Sequence, residues 1–170
     1  MTRTETPVVR VARRRATLAT GAVLLAGGDL GIKTWAAQAL TDGHSIDIGL
    51  LQLRLAYNPG VAFSLGATLP AWIVFTATAL ITAALAVYAW RAARTGSLIM
   101  RLGLAAVPAG AVANLIDRGV DGAVTDYLHT GWFPTFNLAD VFITGGGALL
   151  VLASLRTTSP SPDRSESGAS

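Results

Sequence analysis

Four apolar stretches dominate this chain, each near the ~20 residues an α-helix needs to cross ~30 Å of hydrocarbon. They run from about Ala16 to Leu40, Leu69 to Trp90, Leu98 to Ile116 and Phe136 to Leu155. A bilayer core offers the backbone no water, so such stretches fold as helices that satisfy their own N–H and C=O groups. The second carries no charge at all. The third is shorter and holds Arg101, Pro108 and Asn114, and neighbouring helices in a bundle tolerate the kink expected at Pro108. Composition agrees: 52% of residues are hydrophobic and 14% charged, against ~25% charge in soluble domains. The fold class is therefore an all-α membrane protein, a four-transmembrane-helix bundle.

Arginine placement sets the direction of threading. Arg3, Arg10, Arg13, Arg14 and Arg15 precede the first stretch, Arg91, Arg94 and Arg101 lie between the second and third, and Arg156 and Arg164 follow the fourth. The connections 41–68 and 117–135 carry only Arg54 and Arg118. Basic loops stay in the cytoplasm, so both termini are expected on the cytoplasmic side and those two connections outside. An Arg-rich start, an apolar run and Ala37-Gln38-Ala39 also fit a cleaved signal peptide. Against that, Asp29 and Lys33 interrupt the run and three further spans follow.

Within 41–68, Ile46, Ile48, Leu51, Leu53, Leu55 and Tyr57 alternate as strands do, and a small extracytoplasmic β-sheet is expected there. Residues 1–15 and 157–170 read as disordered cytoplasmic tails around a domain at 16–156. Cysteine is absent, which excludes thiolate nucleophiles, disulfides and Cys-ligated zinc or Fe–S centres. Two scattered histidines, His44 and His129, do not suggest a haem or a His-built metal site, so no metal or other cofactor is expected. The net charge of +3 comes from arginines that form no basic run interleaved with aromatics, which argues against nucleic acid as a partner.

A carboxylate at membrane depth costs about 3 kcal/mol even on mild scales, so one kept there has a use. Asp126 and Asp140 flank the start of the last stretch. Two carboxylates brought within ~3 Å cannot both ionise and share a proton. One then acts as base on water while the other polarises a carbonyl, which is peptide hydrolysis without metal, serine or cysteine.

Each remaining polar group also has a plainer reading. Asp29 and Lys33, at i and i+4, form a self-neutralising pair. Asn58-Pro59-Gly60 is a turn that leaves the Asn58 amide available to a peptide carbonyl or another polar group. Asn114 and Arg118 share a helix face, and Asp117 and Arg118 fit a helix end at the interface. Asn137 and Asp140 have the spacing of a helix N-cap and its N3 carboxylate.

The order of these motifs carries more than any one of them. Asp29-x-x-x-Lys33, Asn58-x-Gly60-x-Ala62-Phe63-Ser64, Asn114-x-x-Asp117-Arg118, Val124-x-Asp126 and Phe136-Asn137-x-Ala139-Asp140, threaded through four spans, closely resemble bacterial lipoprotein signal peptidase, the type II signal peptidase. The likeness covers about residues 16–155. It implies an intramembrane aspartyl endopeptidase acting on prolipoproteins whose cysteine already carries diacylglycerol, with cleavage just before that cysteine. By resemblance Asp126 and Asp140 are the catalytic dyad, and Asn58, Asn114, Arg118, Asn137, Asp29 and Lys33 line or support the site. Asp117 is assigned structure. Lipidated prolipoproteins and membrane lipids are the implied partners, and a monomer is expected. Leu30 stands where relatives often have Gln, Pro59 stiffens the Asn-x-Gly turn, and the 126–136 segment is short; none of these touches the dyad.

Three other classes fit parts of the pattern. A Ser–Lys peptidase would use Ser64 and Lys33. A proton-coupled carrier would use Asp29, Lys33, Asp126 and Asp140 as its path. A non-enzymatic membrane subunit would use the same groups as interhelical hydrogen bonds.

Overall fold

The computed structural model describes residues 6–60, 69–94 and 97–157. Four helices carry the chain: α1 (Pro7–Ala39), α2 (Ala71–Ala92), α3 (Leu98–Asp121) and α4 (Leu138–Thr157). The strands are β1 (Ser45–Asp47), β2 (Gln52–Asn58) and β3 (Val124–His129).

Local sequence explains the helix ends. Pro7 occupies the first helical position of α1, where its missing N–H costs nothing. The Ser97 hydroxyl accepts the Met100 N–H at 3.3 Å and caps α3. Gly122 closes α3 at φ 74°, the left-handed conformation that glycine adopts without strain. Pro108 lies buried inside α3, packed among neighbouring helices as expected.

Two boundaries differ from the sequence expectation. The N-terminal tail was expected to reach residue 15, but α1 already begins at Pro7, because Arg10, Ala12 and Arg13 to Arg15 favour helix and the stretch runs without a breaker into the apolar segment. The rest of that tail, residues 1–5, and the C-terminal residues 158–170 lie outside the described residues. Helix α3 overruns Ile116 to Asp121 and ends where Gly122 takes the left-handed cap.

Among the described residues, α2, α3 and Leu138–Arg156 are long and apolar enough to cross a membrane. Helix α1 is longer, at 33 residues, but is charged at both ends by arginines and by Asp29 and Lys33. The bundle turns many large apolar side chains outward and buries several charged and amide groups, against the usual preference of a soluble protein. Leu80, Ile81 and Leu155 face outward, while Asp29 and Asn137 are both 0% exposed.

Helix α3 is the centre, with α1, α2 and α4 all packed on it. It meets α4 through small residues: a Cβ on Gly110 would strike the Ala139 carbonyl oxygen, and one on Gly146 would meet Val107 Cγ2 at 2.9 Å. Such close backbone approach is how helices associate where lipid removes the hydrophobic drive.

The sheet is antiparallel in the order β1-β2-β3, with Ala56 opposite Asp126 and Asn58 opposite Val124. A sheet in 41–68 was expected; its third strand from the 117–135 connection was not. The run Val124–Tyr127 is buried on both faces and so lacks the alternation that marks a half-exposed strand. Ala36, Leu40 and Tyr127 form the small core beneath the sheet.

Candidate active site

The start of α4 gathers the polar groups. A helix N-terminus leaves its first N–H groups unpaired. Here the Leu138 N–H donates to Tyr127 Oη at 3.2 Å, the Ala139 N–H to Asp29 Oδ1 at 3.0 Å and the Asp140 N–H to Asn137 Oδ1 at 3.0 Å. The Asn137 N–H returns to Asp140 Oδ2 at 3.2 Å, which completes the capping box expected from sequence. The partial positive charge of this terminus favours the two carboxylates held on it, Asp29 and Asp140.

Asn137 does more than cap. Its Nδ2 donates to Asp126 Oδ1 at 2.6 Å, so one residue binds both carboxylates that the sequence singled out. Asp126, at 3% exposed, sits on β3, and Asn58, at the end of the adjacent strand, also hydrogen-bonds it. Burial pushes the Asp126 carboxyl up to about 6, and the charge of Asp140 adds to that rise. The hydrogen bonds from Asn137 and Asn58, and the more distant Lys33, pull the other way. Asp140 is partly exposed.

A second chain of contacts fixes Asp140 from behind. Lys33 Nζ donates to Asn114 Oδ1 at 2.6 Å, and Asn114 Nδ2 donates to Asp140 Oδ1 at 2.9 Å. An ammonium can only donate, so it turns the Asn114 oxygen toward itself and the amide N–H toward Asp140. Lys33 also pairs with Asp29 Oδ2 at 3.0 Å and Asp117 Oδ2 at 3.2 Å. All three ammonium hydrogens thus have acceptors, which opposes a role for Lys33 as a base; Ser64, its supposed nucleophile, lies outside the described residues. Lys33 also fills the position that a cation between Asp29 and Asp117 would take.

Asp117 ties β3 to α3, as its structural assignment expected. Its Oδ2 accepts the Thr125 N–H at 2.7 Å and its Oδ1 the Thr125 hydroxyl at 3.3 Å. Arg118 lies within electrostatic reach of Asp117, Asp126 and Asp140. Its Nε is enclosed yet has no hydrogen-bond partner among the described residues, and it borders a cavity of about 250 Å³ walled by Trp72, Phe75 and Gly119. Gly60 closes that side at φ 114°, its N–H donated to Asn58 Oδ1 at 3.0 Å. A Cβ on Gly60 would press into Val74 and Arg118, so glycine is required there for space as well as for φ.

Sequence reasoning missed Tyr127. It is 3% exposed, its hydroxyl donates to Asp29 Oδ1 at 3.4 Å, and it accepts from the first N–H of α4. Burial, then the Asp29 charge, raise its hydroxyl above the ordinary phenol range and keep it a donor. The available signal was an aromatic hydroxyl one residue after Asp126 in a run that had no other explanation.

A bundle with apolar walls, a small sheet at one end and carboxylates converging beneath that sheet defines a membrane-embedded enzyme. Two solved bacterial membrane enzymes share the fold. One, determined at 2.3 Å by the in meso method, superposes with a TM-score of 0.75 at 26% identity, covering 89% of this chain and 95% of that one. The other gives 0.71 at 29% identity, covering 84% and 95%. The chain belongs to the signal peptidase II family, whose sequence model matches residues 21–156. It is similar to the lipoprotein signal peptidases of Bartonella tribocorum (35% identical, 81% of this chain and 85% of that protein) and Mycobacterium tuberculosis strain H37Rv (34%, 84% and 73%). That of Brucella ovis is 39% identical over 73% of this chain and 80% of its own length. Membership makes the chain a peptidase and decides against a carrier or a non-enzymatic subunit.

Proposed function

We propose that this chain is an intramembrane aspartyl endopeptidase that removes the signal peptide from diacylglyceryl-modified prolipoproteins, cutting just before the lipidated cysteine. The observation that carries the reading is Asn137, which hydrogen-bonds the Asp126 carboxylate through its side chain and the Asp140 carboxylate through its backbone. Asp126 is the member that holds the shared proton, because its burial raises its affinity for one. Asp140, held by two N–H donors at a helix N-terminus, serves as the base toward water.

In this mechanism Asp140 takes a proton from water as the water oxygen bonds to the scissile carbonyl carbon. Asp126 gives its proton to the carbonyl oxygen, forming a neutral gem-diol. Asp140 then protonates the amide nitrogen, the C–N bond breaks, and Asp126 recovers a proton from a gem-diol hydroxyl. Arg118 binds a carboxylate or headgroup ester of the substrate by charge-assisted hydrogen bonds.

The enzyme acts as a monomer with four spans, α1 included, in the bacterial cytoplasmic membrane. Both termini are cytoplasmic and the site is at the outer face, following the distribution of arginine. The test is cleavage of a purified lipidated prolipoprotein, read by gel mobility and by mass of the released peptide. Asp126→Asn and Asp140→Asn should each lose cleavage by more than about a thousandfold while staying in the membrane fraction, since general acid–base groups supply ~10²–10⁴ each. Retained activity in either variant would remove the dyad.

A further inference from the structure

The end of the bundle away from the sheet holds a feature the peptidase reaction does not use. Arg101 lies 16 residues before Asp117 on α3, about 24 Å along the helix at 1.5 Å per residue. Between α1 and α3 at that end runs a groove of about 360 Å³, lined by Leu18, Gly21, Leu25 and Leu102 and bordered by Arg14 and Arg101. The Arg101 Nε is enclosed and has no hydrogen-bond partner among the described residues. Arg14 spends one N–H on the Arg94 carbonyl at 2.8 Å, leaving the rest of its guanidinium for another acceptor. Arg15 turns away toward α2, where it donates to the Trp90 carbonyl and lies 4.8 Å over the indole. No aspartate or glutamate lies among the described residues 6–28 and 98–116, the stretches of α1 and α3 that flank the groove.

We infer that this groove binds one anionic glycerophospholipid, its phosphate between Arg14 and Arg101 and an acyl chain along Leu18, Gly21, Leu25 and Leu102. An apolar slot with a guanidinium pair at its mouth matches the two parts of such a molecule. A guanidinium fork suits phosphate oxygens, and basic pockets between membrane helices take anionic headgroups.

Native mass spectrometry of the full chain, released from detergent containing equal phosphatidylglycerol and phosphatidylcholine of identical acyl chains, tests this. Phosphatidylglycerol should be retained roughly tenfold over phosphatidylcholine. Arg14→Gln with Arg101→Gln should bring that ratio to near parity, whereas Arg91→Gln with Arg156→Gln, outside the groove, should leave it. Gly21→Leu fills the slot without changing charge and should also lower retention. Parity in the unsubstituted protein, equal loss with the Arg91/Arg156 pair, or unchanged retention in Gly21→Leu would each overturn the assignment. So would displacement of the lipid by millimolar inorganic phosphate, which would mean an anion site only. Peptidase activity and thermal midpoint report folding in each variant and do not depend on the outcome.

Discussion

Asn137 is the residue on which the site turns, because one short side chain and its own backbone N–H serve two carboxylates from different elements. Its neighbour Asp126 carries the cost. Raising that carboxyl from 3.8 to about 6 corresponds to a penalty on the order of 3 kcal/mol against its charged form. The folded state binds this proton more tightly than the unfolded chain, so the stabilisation from protonation is complete below about pH 4 and is lost as pH rises through 6. Asp126→Asn removes the penalty. It should therefore raise the thermal midpoint in detergent above pH 6, with the gain fading toward pH 4, while abolishing cleavage. A midpoint that does not change, or that falls at pH 7 to 8, would show that Asp126 is not held as a costly charge.

At the level of elements, the start of α4 is where three parts of the chain meet. Asp29 comes from α1, Tyr127 from β3 and Asn137 from the cap, and each takes one N–H. Tyr127→Phe leaves the Leu138 N–H without its acceptor and Asp29 without one donor, a loss of about 1–2 kcal/mol read by chemical denaturation. The α3–α4 contact is stiffer. Gly110→Ala puts a methyl against the Ala139 carbonyl, one residue from Asp140, and overpacking of this kind costs about 1–3 kcal/mol. Its effect on cleavage should exceed its effect on stability, because relieving the clash moves the α4 terminus that holds Asp140. Equal loss in both would mean the contact serves the fold alone.

The whole molecule is organised for a solvent that is not water. Ile81, on α2, is 60% exposed, a position where an arginine would be neutral in a soluble bundle. In a bilayer the same change costs about 3 kcal/mol at mid-depth. Ile81→Arg should reduce membrane insertion severalfold in a glycosylation-mapping assay, and normal insertion would argue that α2 does not span. Interior polar groups obey the opposite rule: Asp29, Lys33, Asn114 and Asp117 are acceptable because they satisfy one another.

Hydrophobic length is a local, one-dimensional property, and it was enough to locate four helices, while the order of short motifs along the chain was enough to point to the family. The capping box was legible for the same reason, since its two partners stand three residues apart. The partners of Asp126 were not. Strand β3 is buried on both faces, so its sequence has no alternation to betray it, and only its pairing with β2 brings Asp126 beside Asn58 and beneath the α4 terminus. Nor could spacing reveal that Lys33 orients the amide of a residue 81 positions away, or that Tyr127 reaches 98 positions back to Asp29. Such contacts are decided by how three helices and a sheet close on α3, where hydrogen bonding in a dry interior selects among arrangements that a linear pattern leaves equivalent.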